Sequence, residues 1–293
     1  MINGIGFLII FGCVFGSFVI AGGRLEVVLQ ALPHEFMAIG GAALGAFIVG
    51  NSMDTVKDAG RGVRRAFRGA RWTDGDYRDL LTLLFGLLTI FRNGGATAIE
   101  SHLDRPEESS LFSRYPRLLG DRHLIEFISD YLRMMTVNFE DPHQLESAME
   151  ADIEKRHHEE LKAQHALQIM ADGLPALGIV AAVLGVIKTM ASIDQPTEIL
   201  GAMIGGALVG TFLGVLLSYC VVGPLATKLL GVIDEDIKPF NIAKTAIVAY
   251  AQRMPVQVAV EIARRMTPTM HAPSFQQLEA ALDEAKDELT VRV

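Results

Sequence analysis

Uncharged apolar residues gather into four stretches separated by polar segments of very unequal length. Between Glu198 and Lys228 lie 29 residues without a formal charge, where a helix crossing a bilayer core needs about 20. Just before them, residues 173–187 are equally free of charge. Lys188 can extend its ammonium to the interface while the apolar face runs on to Ile193. The turn between them, SIDQPTE at 192–198, is too short for a domain, so 166–227 reads as a transmembrane hairpin. A second hairpin opens the chain. Span one covers Ile2 to Gly22 and ends at Arg24; a short link, RLEVVLQALPHE, leads to span two, the 18 uncharged residues Phe36 to Met53. The N-terminus lacks a basic leader and a small-residue cleavage site, so this first stretch is expected as a retained span. Gly12 with Gly16, and Gly41 with Gly45, have the four-residue spacing that suits helices packing on one another.

The polar segments set the topology. Residues 52–165 hold 16 of the 26 Lys and Arg, beginning with Lys57, Arg61, Arg64, Arg65, Arg68 and Arg71. Residues 225–293 hold 8 more, and the two remaining loops only Arg24 and Lys188. The positive-inside rule puts both large polar segments, and hence both termini, in the cytoplasm. The expected fold class is an all-α integral membrane protein with four transmembrane helices. A large helical cytoplasmic domain lies between spans two and three, and the C-terminus is helical and cytoplasmic. The expected divisions are 1–53, 54–165, 166–227 and 228–293.

Within the insertion, YRDLLTLLFGLLTIFR at 77–92 has leucines at helical spacing and ends at Gly94 and Gly95. Only 12 uncharged residues lie inside it, too few to span, so it is expected as a buried cytoplasmic helix. A second helix is expected near Arg122–Met135. A third begins at Asp141-Pro142, an N-cap with proline at the first helical position, and runs on towards span three. After span four, residues 229–266 keep helical spacing, TPTMHAP is a linker, and Ser274 with Gln277 forms a capping box. Phe275, Leu278, Leu282, Ala285 and Leu289 then trace one face of a terminal amphipathic helix.

Composition agrees with spans joined to a substantial water-exposed part: mean hydropathy is +0.32, with 50% hydrophobic and 20% charged residues. A net charge of −8 argues against a nucleic-acid partner. Cys13 and Cys220 sit inside apolar runs and read as packing residues. No phosphate-binding glycine loop is present. His157 and His158 are adjacent and so do not share a helix face as metal ligands would. Apart from Asp172 near a helix start, no carboxylate falls within the expected spans, whereas an ion carrier keeps an ionisable group at depth. An ion path here would take its carboxylate from another subunit. Gly206, Gly210 and Gly214 form a stripe that either meets such a subunit or packs helices within this chain.

Several segments together resemble the MotA/PomA family, the A subunits of the bacterial flagellar stator. They are GCVFGSFVIAGG (12–23), GAFIVGN (45–51), RPEESSLFSRYPRLL (105–119), DYLRMM (130–135), ADGLPALGIVAAVLGV (171–186), GALVGTFLGVLLSY (206–219), GPLATKL (223–229) and the PSFxxLE pattern at 273–279. The resemblance covers nearly the whole chain. ExbB and TolQ, the more distant relatives, typically lack the first hairpin.

This resemblance implies roles by position. Pro175 and Pro224 match two functional prolines near the cytoplasmic mouths of spans three and four, where a missing donor makes each a hinge or a simple kink. Arg92 and Glu100 match rotor-facing charges; by themselves they read as solvated surface residues, and Asn93 stands where some members carry a second basic residue. Sodium-type members resemble GTLxG in span three, whereas this chain has AAVLG with Ala182 at the threonine position. Alanine offers no oxygen to a dehydrating sodium ion, so the implied ion is a proton. Thr211 and Tyr219 line the implied ion path and B-subunit contact. The implied assembly is a pentamer around a dimeric MotB-like B subunit. That subunit supplies the ion-binding aspartate, and the ring pushes a rotor switch protein of the FliG type, in the bacterial inner membrane. No enzyme activity and no cofactor are expected. A sodium-driven PomA-like stator, an ExbB/TolQ-like energiser and a self-sufficient transporter are the competing readings.

Overall fold

A computed structural model describes residues 2–69, 71–137 and 141–290, with the side chains of 2, 3 and 288–290 outside the description. Every regular element among the described residues is helical: α1 Ile2–Ile20, α2 Leu25–Gly50, α3 Met53–Arg68, α4 Asp74–Asp104, α5 Pro116–Leu119, α6 Arg122–Thr136, α7 Pro142–Met190, α8 Thr197–Leu217, α9 Gly223–Ala251, α10 Val256–Arg264 and α11 Phe275–Thr290. A π-helical turn, Ser218–Val222, joins α8 to α9. The chain forms two compact units, residues 1–70 with 159–232 and residues 71–158 with 233–293, and α7 and α9 contribute to both. The helix α3 therefore belongs to the unit that holds the apolar hairpins.

In the first unit α7 and α8 lie antiparallel. A Cβ added to Gly178 would meet the Gly210 carbonyl oxygen at 2.8 Å, and one on Gly185 would meet the Ala207 Cβ at 2.5 Å. Helix α2 runs parallel to α8, with Val27, Ala31 and Glu35 against Gly205, Gly206 and Gly210 in that order. This four-residue repeat explains a correction. The segment expected as a short link is the opening of α2, because its recurring face packs on α8 and gains more as helix than as loop. Below it, Ile39, Ala43, Leu174, Ala181 and Leu213 close an apolar core. Phe15 meets Phe212 edge-on at 5.9 Å and brings α1 against α8. The Ser52 hydroxyl caps α3 by accepting from the Thr55 N–H at 3.2 Å, and Arg65 pairs with Glu160 at 2.9 Å.

The second unit is built around α4. By length and composition α2, α4, the apolar part of α7 and the α8–α9 stretch could each cross a membrane, and Gly4–Ile20 is a shorter apolar helix. The leucines of α4 are otherwise engaged: Leu81, Leu83, Leu84, Leu87 and Leu88 are fully buried, with α6, α10 and α11 packed on the helix. Each such burial contributes about 1.5–3 kcal/mol relative to water, and leucines already covered by protein leave α4 little apolar face to offer lipid. The break expected after residue 92 falls at Gly95, whose φ of 66° only glycine adopts easily, and the helix then continues to Asp104. Asp76 fixes the start of α4 by accepting from the Thr73 N–H at 2.8 Å while Arg117 Nε lies 2.9 Å from its other oxygen.

Local signals elsewhere are realised. Asp141 accepts from the His143 N–H at 2.9 Å ahead of the 49-residue α7. Ser274 and Gln277 cap α11 reciprocally, at 3.2 and 2.8 Å. Leu278, Leu282 and Ala285 are buried as expected, but Phe275 is 56% exposed because it stands at the first residue of α11, beyond its packed face; the Leu289 side chain lies outside the described residues. The helical spacing over 229–266 resolves into α9 and α10. Pro255, which has no N–H, sits at the break beside Arg253 with φ 65°.

Candidate functional site

Three of the predicted positions lie along the α7–α8 contact. Leu174 and Gly178 of α7 press on Gly214, and Gly178 also on Gly210 and Thr211, while Ala181 reaches Gly210. Pro175, Ala182 and Thr211 each come one residue after a residue of this contact, and all three are half-buried. The hairpin thus presents a proline, a methyl group and a hydroxyl within a few helical turns. The large apolar side chains around them, including Ile179, Val183, Leu184 and Leu208, are exposed in the isolated chain. Beyond Gly214, Tyr219 in the π-turn is 72% exposed, and Pro224, the second residue of α9, is exposed.

The glycine stripe is taken up within the chain. A methyl on Gly214 would stand 2.7 Å from the Leu174 carbonyl oxygen, and one on Gly210 3.1 Å from the Ala181 Cβ. Of the two readings left open for this stripe, these contacts belong to packing within the chain: small residues let backbones touch, and Gly214 meets the backbone of α7. The reverse holds for Gly12, Gly16, Gly41 and Gly45, around which added methyl groups would meet nothing within 4 Å.

Proline 224 is accommodated by a device that residue spacing does not reveal. The Gly223 N–H donates to the Ser218 carbonyl five residues back, so the helix widens by one residue just before the proline. A π-turn relieves the clash of the proline ring with the carbonyl four residues earlier and leaves the local backbone under-bonded. Ser218 within it is buried.

A second feature missed by residue order is Glu35. Because α2 begins at Leu25, this side chain lies inside a spanning helix, and the reading that Asp172 is the sole carboxylate among the spans is corrected. Its Oε2 is closed off from solvent without a hydrogen-bond partner among the described residues, and a methyl on Gly210 would stand 2.6 Å from it. The signal available in the sequence was the four-residue recurrence Val27, Ala31, Glu35.

Arg92 and Glu100 sit in the other unit, on either side of the Gly95 kink of α4, and both are exposed. Arg92 Nε is 3.5 Å from Asn93 Oδ1. The Tyr250 hydroxyl is pushed up by burial, and the positive charge of Arg92 opposes that shift. A cleft of about 1150 Å³, lined by Asp74, Arg78, Asp79, Arg114 and His271 among others, holds none of the predicted residues. There His271 stacks on Tyr77 and bonds to Asp74 at 2.5 Å. His157 lies 3.0 Å from Asp234, and no group of three metal-ligating side chains forms among the described residues. Cys13 and Cys220 are both free thiols, and Cys13 is exposed rather than packed in the isolated chain.

Residues 4–95 match the family model described as motility protein A N-terminal, and residues 121–241 match that of the MotA/TolQ/ExbB proton channel family. The chain is 38% identical over 275 residues to motility protein A of Salmonella typhimurium strain LT2, covering 94% of this chain and 92% of that one. It is 36% identical over 280 residues to the chemotaxis protein LafT of Vibrio parahaemolyticus, covering 96% and 98%. Among solved structures, MotAB of C. jejuni superposes with a TM-score of 0.71 at 19% identity, covering 91% of this chain and 95% of that one. The flagellar MotAB stator complex of Bacillus subtilis gives 0.70 at 18% identity, covering 94% and 98%.

Proposed function

The chain belongs to the motility protein A family, and from that premise we propose that it is the A subunit of a proton-driven flagellar stator. It is a multi-pass protein of the bacterial inner membrane with both termini in the cytoplasm. The orientation follows from the Lys and Arg, 24 of which lie in the two large polar segments. A MotB-like partner supplies the ion-binding aspartate, five copies of this chain surround a dimer of that partner, and the ring acts on a rotor protein of the FliG type.

The observation that carries the reading is the α7–α8 hairpin. Its helices are locked by backbone contact at Gly178, Gly210 and Gly214, leaving Pro175, Ala182 and Thr211 at the edge of a surface of exposed apolar side chains. A second membrane chain seated there brings its carboxylate next to a hydroxyl and a methyl group. Protonation removes the charge and with it most of the cost of burial, so the carboxylate changes its preferred neighbours. Each proton crossing in delivers about 2.3 kcal/mol per 100 mV of membrane potential. Pro175 and the π-turn before Pro224 are the places where the helices yield, because each lacks a backbone bond. Ala182 contributes no oxygen to strip a sodium ion of water, which favours a proton. Arg92 and Glu100, exposed on α4, carry the push to the rotor.

The test is motility of a stator-less host given this chain and its cognate partner in sodium-free medium. Swimming that stops on addition of a protonophore is expected. Motility that tracks sodium would reassign the ion, and an assembled but motionless pair would point to an ExbB/TolQ-like energiser.

A further inference from the structure

Glu35 has no part in the mechanism above, yet its surroundings are those of a working group. It stands ten residues into α2, about 15 Å along the helix axis and so about halfway through a hydrocarbon core. It faces Gly210, the residue before Thr211, with Ala181 beside that glycine and the apolar core of Ile39, Ala43, Leu174 and Leu213 beneath. Oε2 is closed off from water and has no donor among the described residues.

The neighbouring elements bring no charge to meet it. Helix α8 has no titratable side chain between Glu198 and Tyr219, and α7 has none between Asp172 and Lys188. Helix α1 offers only Cys13, and α2 itself only His34, which is exposed, and Glu26 at its start. A carboxyl closed off in such a place costs far less to hold neutral, with a proton bound, than as an unpaired charge.

We propose that Glu35 is a proton-binding station of the ion path, loaded from the side of the α1–α2 turn; this rests on the stator reading. A proton arriving from water on that side forms the Oε2–H bond. That bond breaks when the proton passes, through water at the Thr211 hydroxyl, to the carboxylate of the partner chain, and Glu35 returns to the carboxylate. Parallel packing of α2 on α8 puts Glu35 and Gly210 the same way in from the Leu25 and Thr197 ends, so the transfer runs inward along one side of the hairpin. Gly210 leaves the space that the carboxyl fills.

The experiment is bead rotation at low load, driven by the intact stator in a stator-less host across external pH, for wild type, Glu35→Gln and Glu35→Asp. Glu35→Gln keeps shape and polarity but cannot release and rebind a proton at that atom. Its speed is expected to fall about tenfold, the size of loss typical when a proton-transfer group is removed, and to flatten with pH, while Glu35→Asp keeps the pH dependence. Wild-type speed and pH profile in Glu35→Gln would overturn the proposal. Should that variant not assemble, labelling by a hydrophobic carbodiimide, which attacks protonated carboxyls, decides on the wild-type complex. A Glu35 adduct that forms faster as pH falls supports the proposal, and absence of the adduct overturns it. A wild-type pair that turns no rotor would instead sink the stator reading.

Discussion

Gly178 and Gly214 meet backbone to backbone across the α7–α8 hairpin: a methyl group on Gly214 would stand 2.9 Å from the Gly178 Cα, and one on Gly178 would stand 3.1 Å from the Gly214 Cα. Backbone at that distance cannot move aside without parting the helices. Gly214→Ala is expected to cost about 1–3 kcal/mol through overpacking and to reduce the stator complex recovered from membranes. Gly201→Ala, where the methyl meets nothing within 4 Å, leaves that yield unchanged. Thermal unfolding and recovery of the two variants in detergent check the contrast.

The π-turn gives a second prediction. A methyl on Gly223 would stand 2.8 Å from the Ser218 carbonyl oxygen, the acceptor of the turn's wide hydrogen bond. Gly223→Ala therefore opens the turn and is expected to abolish motility. Pro224→Ala restores a backbone N–H and allows the segment to close into ordinary α-helix. It is expected to assemble with its partner yet turn the rotor poorly, a separation read by pairing pull-down against swimming rings.

The second unit has a pH signature at Asp79. Burial holds its carboxyl above the ordinary 3.8, helped by the Asp76 charge and opposed by Arg78 and Arg117. A folded state that binds the proton more tightly than the unfolded chain is most favoured at low pH, and that advantage fades as pH rises from 3.8 through the raised folded value. Asp79→Asn removes the fading contribution. Its unfolding temperature is expected to match wild type in acid and exceed it at neutral pH, by an amount worth below about 1 kcal/mol for so partly buried a group. Unfolding scans across pH decide it, and a variant equally stabilised at all pH values would refute the assignment.

Arg92 and Glu100, the residues proposed to meet the rotor, are exposed on α4, and exposed substitutions change stability by about 0.5 kcal/mol or less. Arg92→Glu and Glu100→Lys are expected to leave the amount of membrane-inserted complex unchanged while sharply lowering torque. Arg92→Ala alone should do less, since losing a charge is milder than opposing one. Bead-assay torque beside quantitative blotting separates the two effects, and unaltered torque in both reversals would remove these residues from the rotor contact.

Some of this was legible along the chain. The helix start at Asp141-Pro142, the reciprocal cap of Ser274 and Gln277 and the break near Gly95 each depend on a residue's own backbone preferences and its neighbours within a turn. The placement of Glu35 was not. The eleven residues from Leu25 to Glu35, which look like a loop by charge, become helix because every fourth residue finds α8 opposite.

The sequence by itself determined the all-helical architecture, the apolar hairpins, the separation of charge between segments and the family, since length, periodicity and charge are properties of the chain taken in order. The tertiary structure alone decided which glycines touch their own chain and which stay open, that Pro224 is met by a π-turn, that the leucines of α4 fill a core, and that a carboxyl rests against Gly210. Those outcomes depend on what stands across from a residue or on how the backbone around it bonds, and spacing along one helix can show a recurrence without naming the surface it meets.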